Sequence, residues 1–265
     1  MFSIEKAVEA ILSEGYAGAH TLIFLTRYAA LSEDKKLMKN IGNTLEDITE
    51  RPSPMLAYAC AEYYEATGAE FCASYADYIL SECGDMLSYA KCAKAFGSER
   101  YLAKAEGNDP LGYIEKYKAT FNENYLNAAV EIAEQTLNSF HENFDPKDVY
   151  DLEQPSGNSR TAVLYDELSR LTEDGRWKEA RDKQNKFIAL LAEKYPTAAT
   201  FGMCALLGDE FGSKTVICET GQKQVPKEFL SLLGVYAPTT GIVLRFSEGA
   251  ETAYYLIENG TKTVI

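Results

Sequence analysis

The segment DLEQPSGNSR, residues 151–160, combines a carboxylate, a proline, a glycine and several small polar side chains. A helix is expected to begin near its end, so the positive N-terminal end of that helix would lie beside these groups. Such mixtures of donors and acceptors bind sugar hydroxyls. The candidate ligand-binding residues here are Asp151, Ser156, Asn158 and Ser159. The alternative is structural: Ser156 or Asn158 caps the helix, and Gly157 permits the approach turn.

The chain contains two histidines, His20 and His141. His20 precedes the apolar run TLIFLTRY and is a candidate ligand-binding residue or general base, because imidazole titrates near neutral pH. The alternative for His20 is a helix-start histidine whose nitrogens bond to the backbone. His141 is expected at a helix C-terminus, where it interacts favourably with the helix dipole.

Glycoside hydrolysis needs two carboxyl groups, one to protonate the leaving oxygen and one to activate water or attack. Asp151 and Glu153 are candidates by proximity, with Glu50, Glu62 or Glu65 as distant partners. The chain has 40 acidic residues, so some pair of this kind is inevitable and the pattern carries little weight.

Tyrosines recur at helical spacing between residues 58 and 78. They are Tyr58, Tyr63, Tyr64, Tyr75 and Tyr78. Most are expected to pack in the interior of helical hairpins. An aromatic face also suits the apolar side of a pyranose ring, and Tyr58 is the candidate for that role.

Composition excludes several classes of protein. The chain has 265 residues, of which 46% are hydrophobic, and this is enough to form a substantial core. A formal charge of −14 argues against nucleic-acid binding, which needs clustered Lys and Arg. No apolar run approaches the roughly 18–20 residues of a membrane span. The first residues also lack the basic and apolar regions of a secretion signal.

Six cysteines occur without a CxxC pair, and with two histidines they suggest neither a metal site nor a cofactor. They are expected to be buried free thiols, which are typical of a reducing compartment. The sequence therefore predicts a cytoplasmic protein without metal, membrane or nucleic-acid partners.

Apolar residues recur every three to four positions through the first 207 residues, a pattern that predicts successive helices. The predicted runs are 3–14, 18–31, 34–48, 53–67, 69–82, 84–96, 110–120, 123–140, 157–172, 175–193 and 196–207. A repeat of helix, short polar turn and bulky residue marks five αα-hairpins. The bulky residues are Leu37, Phe71, Tyr101, Tyr125 and Trp177. The irregular spacing of the turns favours a closed α/α toroid over an open solenoid.

The sequence changes character after residue 207. Residues 214–219, 241–246 and 252–257 are rich in β-branched and aromatic residues and predict strands, with a short helix in 225–234. This order predicts one βαβ unit with an added edge strand. We therefore expect a helical domain in 1–207 and a small α/β appendage in 208–265 that packs on it.

Several segments resemble one protein family. Asp151 and PSGNS resemble the Asp-x-x-x-Pro-Ser-Gly-Asn-Ser motif of the thioredoxin-domain-containing, spermatogenesis-associated proteins. GAHTLIFLTRY from Gly18, MLAYACAEYYEATG from Met55 and the tail ending in AYYLIENG are also similar to segments of that family. The resemblance implies a six-hairpin, glycosidase-like toroid related to N-acylglucosamine 2-epimerases, and it covers nearly the whole chain.

The sequence also departs from the family pattern. The thioredoxin domain, the Gly-rich segment, the His-Phe-Glu-Lys motif and the Asp-Ala-Asp-Ser loop have no counterpart here. The resemblance therefore implies a trimmed, non-catalytic or weakly active protein that binds a small carbohydrate at the toroid mouth near PSGNS. The alternative is an active glycoside hydrolase, or a sugar epimerase using His20. A thioredoxin-like protein supplied in trans is a possible partner.

Overall fold

Helical hairpins dominate the computed structural model, which describes residues 2–15, 18–48, 51–139, 149–222, 224–258 and 260–265. The helices are α1 (Ile4–Glu14), α2 (Gly18–Leu31), α3 (Lys35–Asp47), α4 (Pro54–Thr67), α5 (Phe71–Glu82), α6 (Met86–Phe96), α7 (Glu99–Lys104), α8 (Pro110–Thr120), α9 (Glu123–Ser139), α10 (Gly157–Leu171), α11 (Gly175–Lys194), α12 (Thr200–Met203), α13 (Leu207–Phe211) and α14 (Lys227–Leu230). The strands are β1 (Lys214–Thr220), β2 (Thr240–Phe246), β3 (Ala253–Glu258) and β4 (Thr261–Val264). His141 and Glu50 lie outside the described residues.

Five pairs of consecutive helices pack as the predicted hairpins: α2 with α3, α4 with α5, α6 with α7, α8 with α9, and α10 with α11. Short capped turns reverse the chain between them. Gly68 and Gly97 end α4 and α6 in the left-handed conformation, which glycine adopts without steric cost. Asp34 and Ser98 cap the N-termini of the returning helices α3 and α7. The bulky anchors Leu37, Tyr101 and Trp177 are buried.

In each hairpin the first helix lies towards the interior of the molecule, and the second helix packs on its outer side. Buried residues occur on every side of α2, whereas α3 buries only one stripe. The inner helices contact one another in the order α2, α4, α6, α8, α10 and α12, and α12 contacts α2 again. The succession of neighbours thus returns to its starting helix.

The predicted run 196–207 is wrong as one continuous helix. It consists of 3₁₀ turns at Pro196–Ala198 and Cys204–Leu206 with α12 between them. α12 packs closely against α10 and α11. A Cβ atom at Gly202 would lie 2.8 Å from both Ser159 Oγ and Ile188 Cδ1.

The four-stranded sheet has the order β2-β1-β3-β4. β1 and β2 are parallel and are joined through α14 and a 3₁₀ turn, which confirms the predicted βαβ unit. β3 pairs antiparallel with β1, and β4 pairs with β3. The third predicted strand is therefore interior rather than an edge strand. The edge strand β4 is short and fully exposed, and the apolar pattern did not mark it.

The sheet packs on the ends of the inner helices. The Leu244 backbone N–H donates to Tyr117 Oη of α8 at 3.2 Å, and Thr215 Oγ1 donates to the Arg170 carbonyl of α10 at 2.9 Å. Gly241 allows this approach, because a Cβ atom there would lie 2.8 Å from the same carbonyl oxygen. α13 runs across the predicted boundary at residue 207, and the division into two domains stays a prediction. In the described part of the chain no helix has the length and apolar character needed to cross a membrane.

Substitution of Gly202 by alanine tests the packing of α12. The added methyl group must displace Ser159 or Ile188, so we expect a loss of roughly 1–3 kcal/mol in the free energy of unfolding. The matched control is Gly175→Ala at the start of α11, where a Cβ atom meets nothing within 4 Å. Urea denaturation of both variants measures the effect, and equal stability would contradict the packing described here.

Candidate functional site

An open groove lies at the N-terminal ends of the inner helices. Its volume is about 730 Å³, and its wall is formed by segments that precede or begin α2, α4, α6 and α10. We call it the His20 groove. Its polar lining residues are His20, Arg51, Ser53, Glu153 and Gln154. The groove thus brings His20 beside the loop that carries the PSGNS motif.

His20 lies in the first turn of α2 and is almost fully buried. Gly18 makes room for it, because a Cβ atom at that positive-φ position would lie 3.2 Å from the His20 Cε1 atom. Glu153, by contrast, is exposed. Of the three predicted catalytic candidates, His20 and Glu153 therefore line one groove, but with very different access to solvent, and Asp151 does not line it.

Asp151 is buried and bonds within the protein. Its Oδ1 accepts from the Ser156 backbone N–H at 2.8 Å, and its Oδ2 accepts from the Phe201 N–H at 2.9 Å. Its own N–H donates to the Ala198 carbonyl oxygen at 2.7 Å. One carboxylate thus holds the loop before α10 against the first turn of α12.

The other residues of the motif are also used internally. Ser156 caps α10, because its Oγ accepts from the Ser159 N–H at 3.1 Å. Gln184 Nε2 donates to the carbonyl oxygen of Asn158 at 3.0 Å and to its Oδ1 at 3.2 Å. Ser159 Oγ is buried and has no hydrogen-bond partner among the described residues. The structure therefore shows a helix cap and a loop clamp, and a direct ligand contact by these residues stays a prediction.

Tyr58 lies away from the groove, in the interior of the helices. Arg27 Nη2 donates to its hydroxyl at 3.1 Å, and the Lys91 ammonium lies 5.1 Å from its ring centroid. Its ring packs edge-on against Phe201. Tyr58 thus borders a second constellation, which we call the buried charge cluster. Its members are Arg27, Glu62, Glu65, Lys91, Lys94, Glu115, Lys118, Asp166, Glu167 and Arg170.

Glu62 is the most heavily bonded carboxylate of the cluster. Arg27 donates two hydrogen bonds to it, from Nε to Oε1 at 2.9 Å and from Nη2 to Oε2 at 3.1 Å. Lys91 Nζ lies 2.6 Å from Oε2, and the Tyr236 hydroxyl donates to Oε1 at 2.7 Å. Burial alone would raise the pKa of Glu62, but Arg27 and Lys91 hold it well below its usual range. Lys91 and Lys94 also pair with Glu65.

The second half of the cluster lies between α8 and α10. Lys118 bridges Glu115 at 3.1 Å and Glu167 at 2.7 Å. Arg170 contacts Asp166 at 2.9 Å and Glu167 at 3.2 Å. Burial raises the pKa of Asp166 to about 6, against the opposing effect of Arg170. Burial would also raise the pKa of Glu167, but Lys118 and Arg170 lower it to about 2.

A small cavity of about 60 Å³ lies at the cluster. Residues of the segment 232–240 form its outer wall, and Arg170 Nη1 donates to the Pro238 carbonyl oxygen at 3.2 Å. The sequence patterns considered above did not mark this site. The available signal was a charged residue within each of several apolar inner helices, such as Arg27 in TLIFLTRYAAL and Lys91 in SYAKCAKAF.

Neither constellation offers the paired carboxyl groups that glycoside hydrolysis needs. Glu153 is the one acidic side chain among the described residues that line the His20 groove. In the cluster, the pKa values of Glu62, Glu65 and Glu167 are all lowered, which opposes a role as general acid. The pKa of Asp166 is raised, but Asp166 does not line the cavity. No group of His, Cys, Asp and Glu within the described ranges is arranged to hold a metal ion. All six cysteines are free thiols.

Substitution Asp151→Asn tests the loop clamp. An amide cannot accept from both N–H groups as the carboxylate does, so we expect a loss of roughly 1–3 kcal/mol in stability. Asp47→Asn, at an exposed position on α3, is the matched control and should leave stability nearly unchanged. Thermal and urea denaturation measure both variants. If Asp151→Asn is as stable as the wild-type protein, the clamp is dispensable.

Substitution Asp166→Asn tests the buried carboxyl of α10. A carboxyl whose pKa rises from about 3.9 unfolded to about 6 folded binds more protons when folded, so its contribution to stability falls as pH rises through that window. The free energy of unfolding of the wild-type protein, minus that of the variant, should therefore fall by about 2 kcal/mol between about pH 4 and pH 7. Urea denaturation across this range gives the two curves. Parallel curves would show that Asp166 does not titrate as its burial implies.

Comparison with known proteins gives no identification. No family model matches the chain, and no curated protein matches it significantly.

Proposed function

We propose that this protein binds a small carbohydrate in the His20 groove and does not transform it. The observation that carries the proposal is the groove itself, an open space of about 730 Å³ at the helix N-termini with a mixed polar lining. Imidazole, guanidinium, hydroxyl, carboxylate and amide groups provide both the donors and the acceptors that sugar hydroxyls require. The resemblance of the PSGNS loop to a six-hairpin, glycosidase-like family supports the same class of ligand.

The proposed architecture is a closed α/α toroid of the six-hairpin type. The support is the order of contacts among the inner helices, which runs from α2 through α10 and returns to α2 through α12. α12 occupies the sixth inner position as a single short turn, so the ring is a trimmed version of a regular toroid. The groove then corresponds to one mouth of the toroid, at the N-terminal ends of the inner helices.

The PSGNS motif has a positioning role in this proposal. Asp151 and Ser156 are anchored on either side of the loop, and the residues between them reach the groove. The loop therefore presents Glu153 and Gln154 to a ligand while its anchors remain buried. Retention of the motif without the other polar segments of the family is consistent with binding alone.

Binding is favoured over hydrolysis because the described wall of the groove has a single acidic side chain. An inverting or a retaining glycosidase needs a second carboxyl group about 5–10 Å from the first. His20 as the base of an epimerase would act without a second histidine in the described wall. The cytoplasmic location and a thioredoxin-like partner in trans remain predictions from the cysteine pattern and the family resemblance.

A panel of neutral monosaccharides and disaccharides tests the proposal by thermal unfolding and calorimetric titration. A sugar that binds the folded state must raise the melting temperature. We expect Gln154→Ala to weaken binding by about tenfold, because a lost hydrogen bond changes affinity by about that factor. Gln135→Ala, on the exposed side of α9, is the control and should bind like the wild-type protein.

Two outcomes would contradict the proposal. A panel in which no sugar stabilises the protein would remove carbohydrate as the ligand class. Release of free sugar from an aryl glycoside, abolished in Glu153→Gln, would instead establish the glycoside hydrolase alternative.

A further inference from the structure

We propose a second binding site in the buried charge cluster, which takes a small oxyanion, either a carboxylate or an inorganic oxyanion, beneath residues 232–240. We call these residues the cover. The site lies at the C-terminal halves of the inner helices, whereas the His20 groove lies at their N-terminal ends. It is therefore independent of the carbohydrate site.

Most of the charged side chains in the wall of the cavity are removed from water. Arg27, Glu62 and Lys91 have side chains exposed by 6%, 1% and 4%. Burying so many charges costs more free energy than packing apolar side chains of similar volume, and such clusters are enriched at functional sites. The protein thus maintains a costly arrangement around a space large enough for a few water molecules or one carboxylate group.

The hydrogen-bonding capacity left in the wall belongs mainly to donors. An ammonium group has three N–H donors. Among the described residues, Lys94 pairs only with Glu65, so two of its donors lack a protein acceptor. Lys91 and Lys118 each pair with two carboxylates, which leaves one donor on each.

The acceptors of the wall are largely occupied. Glu62 accepts two bonds from Arg27, one from Lys91 and one from Tyr236. Both oxygens of Glu65 are taken by lysines. Four cationic side chains and three carboxylates line the cavity. Glu115 does not line it but also forms a salt bridge with Lys118. A guest that brings negatively charged acceptors fits the free donors. Of the carboxylates that line the cavity, only Glu167 keeps an oxygen, Oε2, without a protein donor among the described residues.

A route to the cavity runs past Tyr236. A surface groove of about 310 Å³ lies beside the cavity, and Glu65, Lys94, Val235 and Tyr236 line both spaces. The Tyr236 hydroxyl bonds to Glu62, and Arg170 bonds to the Pro238 carbonyl oxygen, so two hydrogen bonds tie the cover to the cluster. Movement of Tyr236 would join the groove to the cavity and open the site.

Titration of the protein with sodium acetate and with sodium phosphate tests the proposal, with sodium chloride at matched ionic strength as the reference. Amide chemical shifts in NMR spectra report binding at Lys94, Val235 and Tyr236. We expect saturable shifts at these residues with at least one anion. Response to acetate alone identifies a carboxylate site, and response to phosphate alone identifies an inorganic oxyanion site.

Three variants and one control variant locate the site. Lys94→Met leaves Glu65 paired with Lys91 and should abolish the saturable shifts, whereas Lys94→Arg should retain them. Tyr236→Phe removes one bond of the cover, so the open state gains population and apparent affinity should rise by about tenfold. Lys39→Met, at an exposed position on α3, should bind like the wild-type protein.

The proposal is overturned if the chemical-shift changes grow linearly with anion concentration without saturating, or if they persist unchanged in Lys94→Met. Such shifts would reflect general ionic screening rather than a site. Circular dichroism and thermal unfolding of each variant confirm that the fold is intact, and Lys94→Arg provides the comparison if Lys94→Met does not fold.

Discussion

The pairing of Glu62 is the interaction on which much of the helical arrangement depends. A buried, unpaired carboxylate costs several kcal/mol, so Glu62 requires its partners in fixed positions. Arg27 comes from α2, Lys91 from α6 and Tyr236 from the segment before β2. One carboxylate on α4 therefore fixes two neighbouring helices and the C-terminal tail relative to one another. The chain Lys91–Glu65–Lys94 extends the same constraint towards the surface.

The two ends of the inner helices have opposite character. At the N-terminal ends, helix caps and the Asp151 clamp accept hydrogen bonds from backbone N–H groups, and the His20 groove stays open between them. At the C-terminal ends, the sheet and the cover close over paired charges. An open, mixed polar groove suits a neutral ligand rich in hydroxyl groups. A small, donor-rich cavity beneath the cover suits a small anion, and the two proposed sites follow from this difference.

Much of the fold was predictable because it depends on local patterns. The hairpin turns were marked by polar residues and glycines such as Gly68 and Gly97, and the buried anchors by residues such as Trp177. The break of the last helical run was not predictable, because the apolar pattern continues through it. The close approach of Gly202 to Ser159 and Ile188 depends on tertiary packing in the same way. The strand β4 was missed because an exposed, four-residue edge strand has no alternation of apolar and polar residues.

Less of the site was predictable. His20 and Glu153 do share a groove, but Asp151 and Tyr58 bond internally and face other groups. Sequence spacing places polar residues on an element without telling whether they turn towards solvent or towards the core. The buried charge cluster depends on residues from five helices that are far apart in the chain, such as Lys118 and Glu167. Only the packed structure shows that their charges balance.

The contact between the tail and the helices has a consequence for the order of folding. α8 and α10 contact each other least among successive inner helices, and β2 lies against α10 while bonding to Tyr117 of α8. The bonds Tyr117–Leu244 and Glu62–Tyr236 join residues 127 and 174 positions apart. Such non-local contacts form late, because closing a long loop costs conformational entropy before the contacts it brings together can stabilise the chain. The hairpins are thus expected to assemble first around hydrated charges, which lose their water only when the last strands arrive.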